Sequence, residues 1–92
     1  MSLNRRDARR DANEGEIVKA LEQIGATVFR LSDKDIPDLL VVYRGEAYFI
    51  EVKVAGEKLR PGQVAFFARL EPGAGGVAWS AEDALRIIGA VS

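Results

Sequence analysis

The chain has 92 residues, 48% of them hydrophobic and 29% charged, with a net charge of −1; this is the composition of one small soluble globular domain with no room for a second core. It has neither cysteine nor histidine, which excludes a disulfide framework, a Cys/His zinc site, a thiol nucleophile and a Ser-His-Asp triad. Any catalysis must run on carboxylates, lysine, hydroxyls or a bound hard metal, and oxygen-only ligands favour magnesium or manganese over zinc.

Residues 1–10 are basic and polar with no apolar period and are expected as an N-terminal extension, frayed or loosely helical, ahead of a single domain over 11–92. A first helix is expected over 12–24, because Ile17, Val18, Leu21 and Ile24 recur at helical spacing and Gly25 stops it. Either Asp11 or Asn13 caps its start. A short strand follows over 27–31, then a polar loop over 32–36. Pro37 biases Ile36 towards an extended conformation. Two strands are expected over 38–43 and 46–54, with Arg44-Gly45 as their turn.

After a charged loop, Pro61 suits the first turn of a second helix reaching Leu70, with Val64, Phe67 and Leu70 as its buried face. The glycine-rich stretch 72–76 reads as a flexible break. A fourth strand is expected over 77–79. Ser80 then caps a last helix, with Asp83 at the capping-box position and Ala84, Leu85 and Ile88 facing inwards. The expected order is α-β-β-β-α-β-α, an α/β fold with a mixed β-sheet flanked by helices.

A two-residue turn at Arg44-Gly45 pairs Tyr43 with Glu46 and places Asp38 opposite Glu51, with β-carbons about 4.5–5.5 Å apart. Lys53, two residues on, shares their face. Leu40, Val42, Ala47 and Phe49 fill the rest of that face. Leu39, Val41, Tyr48, Ile50 and Val52 fill the other, so the hairpin is expected to be central and covered on both sides. Two opposed carboxylates destabilise a strand pair and raise one pKa unless a cation stands between them. A divalent ion turns that repulsion into coordination. The bland alternative is a diagonal Lys53–Asp38 salt bridge with Glu51 at a solvated sheet end. On the first helix, a rotation of about 100° per residue aims Glu14 at the sheet and Glu16 away. Glu14 either joins the carboxylates or serves a capping box.

Glu14 on the first helix, Pro37-Asp38, Glu51-Val52-Lys53 and then Gln63 resemble the PD-(D/E)XK nuclease superfamily. Within it the chain looks most like a stand-alone VRR-NUC domain of the phage type, and it is similar to archaeal Holliday-junction resolvases. Asn13-Glu14-Gly15-Glu16-Ile17-Val18-Lys19-Ala20-Leu21 looks like their first helix, and Leu59-Arg60-Pro61-Gly62-Gln63-Val64 with Phe66-Phe67 looks like the segment after the lysine strand. The resemblance spans about residues 11–90.

The resemblance implies a restriction-endonuclease-like core and hydrolysis of phosphodiester bonds in branched DNA such as junctions or flaps. Asp38 and Glu51 would ligate Mg²⁺ or Mn²⁺, with the Val52 carbonyl as a further ligand and Glu14 supporting the metal directly or through water. Lys53 would orient the attacking water. Gln63 would touch the site or the substrate backbone, or serve as an N3 cap. Such an enzyme works in the cytoplasm of a bacterium or phage-infected cell, without an organic cofactor. Arg5, Arg6, Arg9, Arg10, Lys34, Lys58 and Arg60 are candidate phosphate contacts, although the net acidity runs against a DNA-gripping protein.

Symmetrical cutting of two strands suits a homodimer, with Tyr43, Phe66, Trp79 and the last helix as candidate contacts. The competing reading is a non-catalytic nucleic-acid-binding or assembly module that kept the fold, and a third is a small interaction domain with an accidental ion-pair cluster. One departure from the family stands out: Arg60 holds the place where VRR-NUC segments often carry a hydroxyl or acidic helix cap, and Gly62 follows the proline.

Overall fold

The structure is a computed structural model that describes the backbone of residues 5–92 and the side chains of residues 13–92. Its elements are α1 (Arg5–Gln23), β1 (Thr27–Arg30), β2 (Leu39–Tyr43), β3 (Glu46–Val52), α2 (Pro61–Ala68), β4 (Gly75–Ala78) and α3 (Ala81–Ile87). The strands form one sheet in the order β1-β2-β3-β4. β1, β2 and β3 run antiparallel, and β4 returns parallel to β3 after the α2 crossover. The expected α/β class and element order are those observed.

The turn sets the hairpin. Arg44 and Gly45 have φ of 52° and 81°, the two positive values that a tight two-residue hairpin turn needs. Tyr43 pairs with Glu46 and Leu39 with Ile50, which is the register the sequence implies. β1 extends the ladder, and Leu31 N–H donates to Asp38 O at 2.7 Å. That bond closes the 32–37 loop and brings Asp38 to the mouth of the hairpin.

The core lies on one face of the sheet. Leu39, Val41, Ile50 and Val52 meet Ile17, Val18 and Leu21 of α1 and Ala84 and Ile88 near α3. Ser80 Oγ accepts from Asp83 N–H and Asp83 Oδ2 accepts from Trp79 N–H, so α3 is capped as the sequence suggests.

Several expectations need correction. The hairpin is not covered on both sides: Val42 and Ala47 are exposed, Leu40 and Phe49 are half-buried, and Phe29 of β1 is 50% exposed. The edge-on packing of Phe66 against Phe49, centroids 5.1 Å apart, shields part of this second face. Val64 of α2 is 52% exposed, and Ile24 is also exposed. α1 starts at Arg5, with no break between residues 10 and 11. Asn13 and Glu14 therefore lie inside the helix, and the capping roles considered for them do not apply. Gly75 and Gly76 belong to β4 rather than to a flexible break. A Cβ on Gly75 would overlap the carbonyl of Phe49, so glycine is what lets this edge strand approach.

Candidate functional site

Five polar side chains are buried where the hairpin mouth meets α1 and α2. Glu14, Asp38, Glu51, Lys53 and Gln63 are each no more than 8% exposed. Burying a charged or polar group is costly unless it finds partners, so the partners define the site.

Asp38 precedes β2 and its Oδ2 accepts from Val52 N–H at 2.8 Å. The carboxylate thus takes the place of a ladder acceptor and is anchored on the strand that carries the second acid. Glu51 lies on β3 with Lys53 Nζ 3.5 Å from its Oε2. The same oxygen accepts from Gln63 Nε2 at 2.9 Å. Lysine therefore pairs with Glu51 rather than diagonally with Asp38, and Glu51 is buried rather than at a solvated sheet end.

Burial, first, and the neighbouring Asp38 charge, second, raise the Glu51 pKa to about 7, against the opposing pull of Lys53. Two acids this close share a proton or require a cation.

Gln63 links two tasks. Its Oε1 accepts from Arg60 N–H at 2.8 Å, closing the first turn of α2. That bond commits the amide oxygen, so the Nε2 end must face Glu51. Opposite ends of one side chain thus close the helix start and contact Glu51.

Glu14 is buried, as helical rotation implies, but it is drawn to a different partner. Arg30 Nε donates to Glu14 Oε2 at 3.0 Å. Among the described residues no group of three or more His, Cys, Asp or Glu side chains is placed to hold a metal. The structure brings together Asp38, Glu51, Lys53 and Gln63, with Glu14 held to one side by Arg30.

Two residues near the site escaped the sequence reading. Arg30 sits on the core-facing parity of β1, opposite Leu39; a basic residue there was the available signal. Asn13 reaches from α1 to donate to Lys53 O at 3.1 Å and Trp79 O at 3.5 Å, tying the end of β3 to the helix. Nothing in the sequence marked that contact.

Of the candidate phosphate contacts, Lys34 and Lys58 are exposed on the loops before Pro37 and before α2. Arg60 is ion-paired to Asp35, Nη2 to Oδ1, at 3.3 Å. The side chains of Arg5, Arg6, Arg9 and Arg10 lie outside the described residues.

A solved structure described as a VRR_NUC domain matches this chain with a TM-score of 0.63 and 32% sequence identity, over 82% of this chain and 92% of that one. The chain belongs to the VRR-NUC family. No protein-family model and no curated protein sequence matches it. The VRR-NUC fold is a nuclease fold, and nuclease folds of this type typically use divalent metals.

The residues present fit such an ion. All the donors are hard oxygens, and Glu51 Oε1 is buried without a hydrogen-bond partner. Two carboxylates are the protein contribution that Mg²⁺ commonly takes, the remainder coming from water and phosphate. Among the described residues no helix is long and apolar enough to cross a membrane.

Proposed function

We propose that this VRR-NUC domain is a metal-dependent, structure-selective DNA endonuclease that hydrolyses phosphodiester bonds in branched DNA. The observation that carries the reading is the buried Asp38–Glu51 pair with Lys53 against it, a costly arrangement that a binding module has no use for. Asp38, Glu51 and the Val52 carbonyl are the proposed ligands for Mg²⁺ or Mn²⁺. Bound there, the ion would lower the pKa of a water and neutralise charge on the phosphate.

The chain's own residues do the rest. Lys53 orients the attacking water and stabilises charge developing on the phosphate oxygens. Gln63 holds Glu51 in place with an amide that cannot turn round. Asp38 is fixed by the Val52 N–H. Glu14 steadies Arg30, whose half-exposed side chain then serves as a phosphate contact beside Lys34, Lys58 and the N-terminal arginines. Such contacts give salt-dependent affinity and no sequence readout. A branched substrate cut on two strands needs two such sites, and the exposed apolar face around Phe29 and Val42 is the surface we assign to a second copy.

The test is cleavage of labelled junction, flap, nicked and plain duplex DNAs with Mg²⁺, comparing wild type with Lys53→Ala. Cleavage of at least one branched substrate by wild type, lost in the variant and in chelator, is expected. Uniform lack of cleavage would move the reading to a non-catalytic nucleic-acid-binding module.

A further inference from the structure

Helix α2 starts on Pro61 and on the Gln63 Oε1 bond to Arg60 N–H, but its own sequence supplies no acidic or hydroxyl cap. Its N-cap residue Arg60 offers no acceptor of its own to the first turn, which also contains no acidic residue. Yet this turn must be well placed, because Gln63, which grips Glu51, lies within it.

A carboxylate reaches the helix start from elsewhere. Asp35 sits in the loop ahead of Pro37-Asp38, and a Cβ added to Gly62 would overlap its carboxylate. The acid therefore lies against the bare Cα of the second helical residue. It also pairs with Arg60 at 3.3 Å. A negative charge close to a helix N-terminus is favourable through the helix dipole, and here it acts by charge and by its Arg60 ion pair, since the Gln63 and Val64 N–H groups donate to Arg60 O. Asp35 has φ of 64°, a left-handed conformation that aspartate tolerates better than most non-glycine residues.

We propose that Asp35 is a positioning residue for the catalytic centre: through its contact with Gly62 and its ion pair with Arg60 it supplies across space the negative charge that the start of α2 lacks, and so locks the Asp38 loop and the Gln63 helix into one frame. Its catalytic meaning rests on the nuclease reading above. The frame is a closed circuit. Asp35 holds the start of α2, α2 holds Gln63, Gln63 holds Glu51, Glu51 faces Asp38, and Asp38 is three residues from Asp35. Loosening the first turn frees the Gln63 oxygen from Arg60 N–H and removes the reason its nitrogen faces Glu51. Glycine at 62 and arginine at 60 are then parts of one device with Asp35.

Three variants test this. Asp35→Gly removes the carboxylate and relieves the positive φ. Gly62→Asp puts an acid into the helix but into occupied space beside a like charge. The double variant moves the acid from loop to helix. Asp35→Gly is expected to weaken Mn²⁺ binding several-fold and to lower kcat about tenfold with little change in KM for DNA, the pattern of a displaced catalytic group.

Gly62→Asp alone is expected to lower thermal stability and Mn²⁺ affinity, and the double variant to regain most of both. The side-chain amide protons of Gln63, followed by NMR exchange, should be protected in wild type, fast in Asp35→Gly and protected again in the double variant. A double variant no better than Gly62→Asp, or wild-type Gln63 protection in Asp35→Gly, overturns the proposal. Failure of the nuclease reading shows separately, as wild type that binds no Mn²⁺ while Gln63 protection still follows this order.

Discussion

Replacing Glu51 with glutamine should stabilise the metal-free protein above neutral pH while ending metal binding. Glu51 carries a pKa raised from 4.5 to about 7. An acid whose folded pKa is raised contributes stability that is fully present below its unfolded pKa and is lost as pH climbs through the folded one. The raised pKa therefore costs about 3 kcal/mol between its two limits, of which about 2 kcal/mol falls between pH 5.5 and 8.

Because the chain has no histidine, no side chain with an ordinary pKa competes in that window. For a domain of this size about 2 kcal/mol corresponds to roughly 10 °C in Tm. An amide at position 51 keeps an acceptor for Gln63 and offers Asp38 a donor, so it takes the place of the shared proton at every pH. Thermal unfolding in EDTA should show wild type losing stability from about pH 5.5 to about pH 8 while Glu51→Gln stays level. Mn²⁺ should restore wild type at the higher pH and leave the variant unchanged. Equal wild-type stability at the two pH values, or a variant less stable than wild type at the higher one, would refute the reasoning.

Asp38→Asn retains an oxygen for the Val52 N–H but loses the charge, so it should fold and yet cleave branched DNA at least about a hundredfold more slowly; single-turnover assays measure this. Gln63→Leu loses both amide bonds and leaves a buried Glu51 oxygen without its donor. Urea unfolding should show a loss of about 1–3 kcal/mol, and the pH dependence of stability should move upwards because the charged carboxylate has lost a stabilising hydrogen bond. Val42→Glu places a charge on the exposed apolar sheet face and should convert a dimer to a monomer in sedimentation experiments without unfolding it; an unchanged mass would remove that face from the proposed interface.

Local signals made much of the site legible. A turn that demands two positive φ values fixes the hairpin register, and the register alone brings Asp38 and Glu51 together. Helical rotation was enough to bury Glu14 and expose Glu16. Apolar character was a poorer guide to burial: Val42, Ala47, Val64 and Ile24 are hydrophobic and exposed, because a small domain has too little polar surface to cover itself. α1 starts at Arg5 rather than near residue 12, because the polar residues before Asn13 have no apolar period to mark them although the helix includes residues 5–12. The role of glycine in β4 depends on how close Phe49 comes, which only the folded sheet decides. The same is true of the contacts that complete the site. Arg30 with Glu14, Asn13 with Lys53 and Asp35 with Gly62 join residues far apart in the chain, and the sequence hinted at the first only through a basic residue on a core-facing position and at the last only through the odd capping of α2.

The central claim is a metal centre built on Asp38 and Glu51, and calorimetric titration with Mn²⁺ in the presence of uncleavable branched DNA tests it most directly. The account predicts saturable binding by wild type that Asp38→Ala abolishes. No binding by wild type, or equal binding by both proteins, would contradict it.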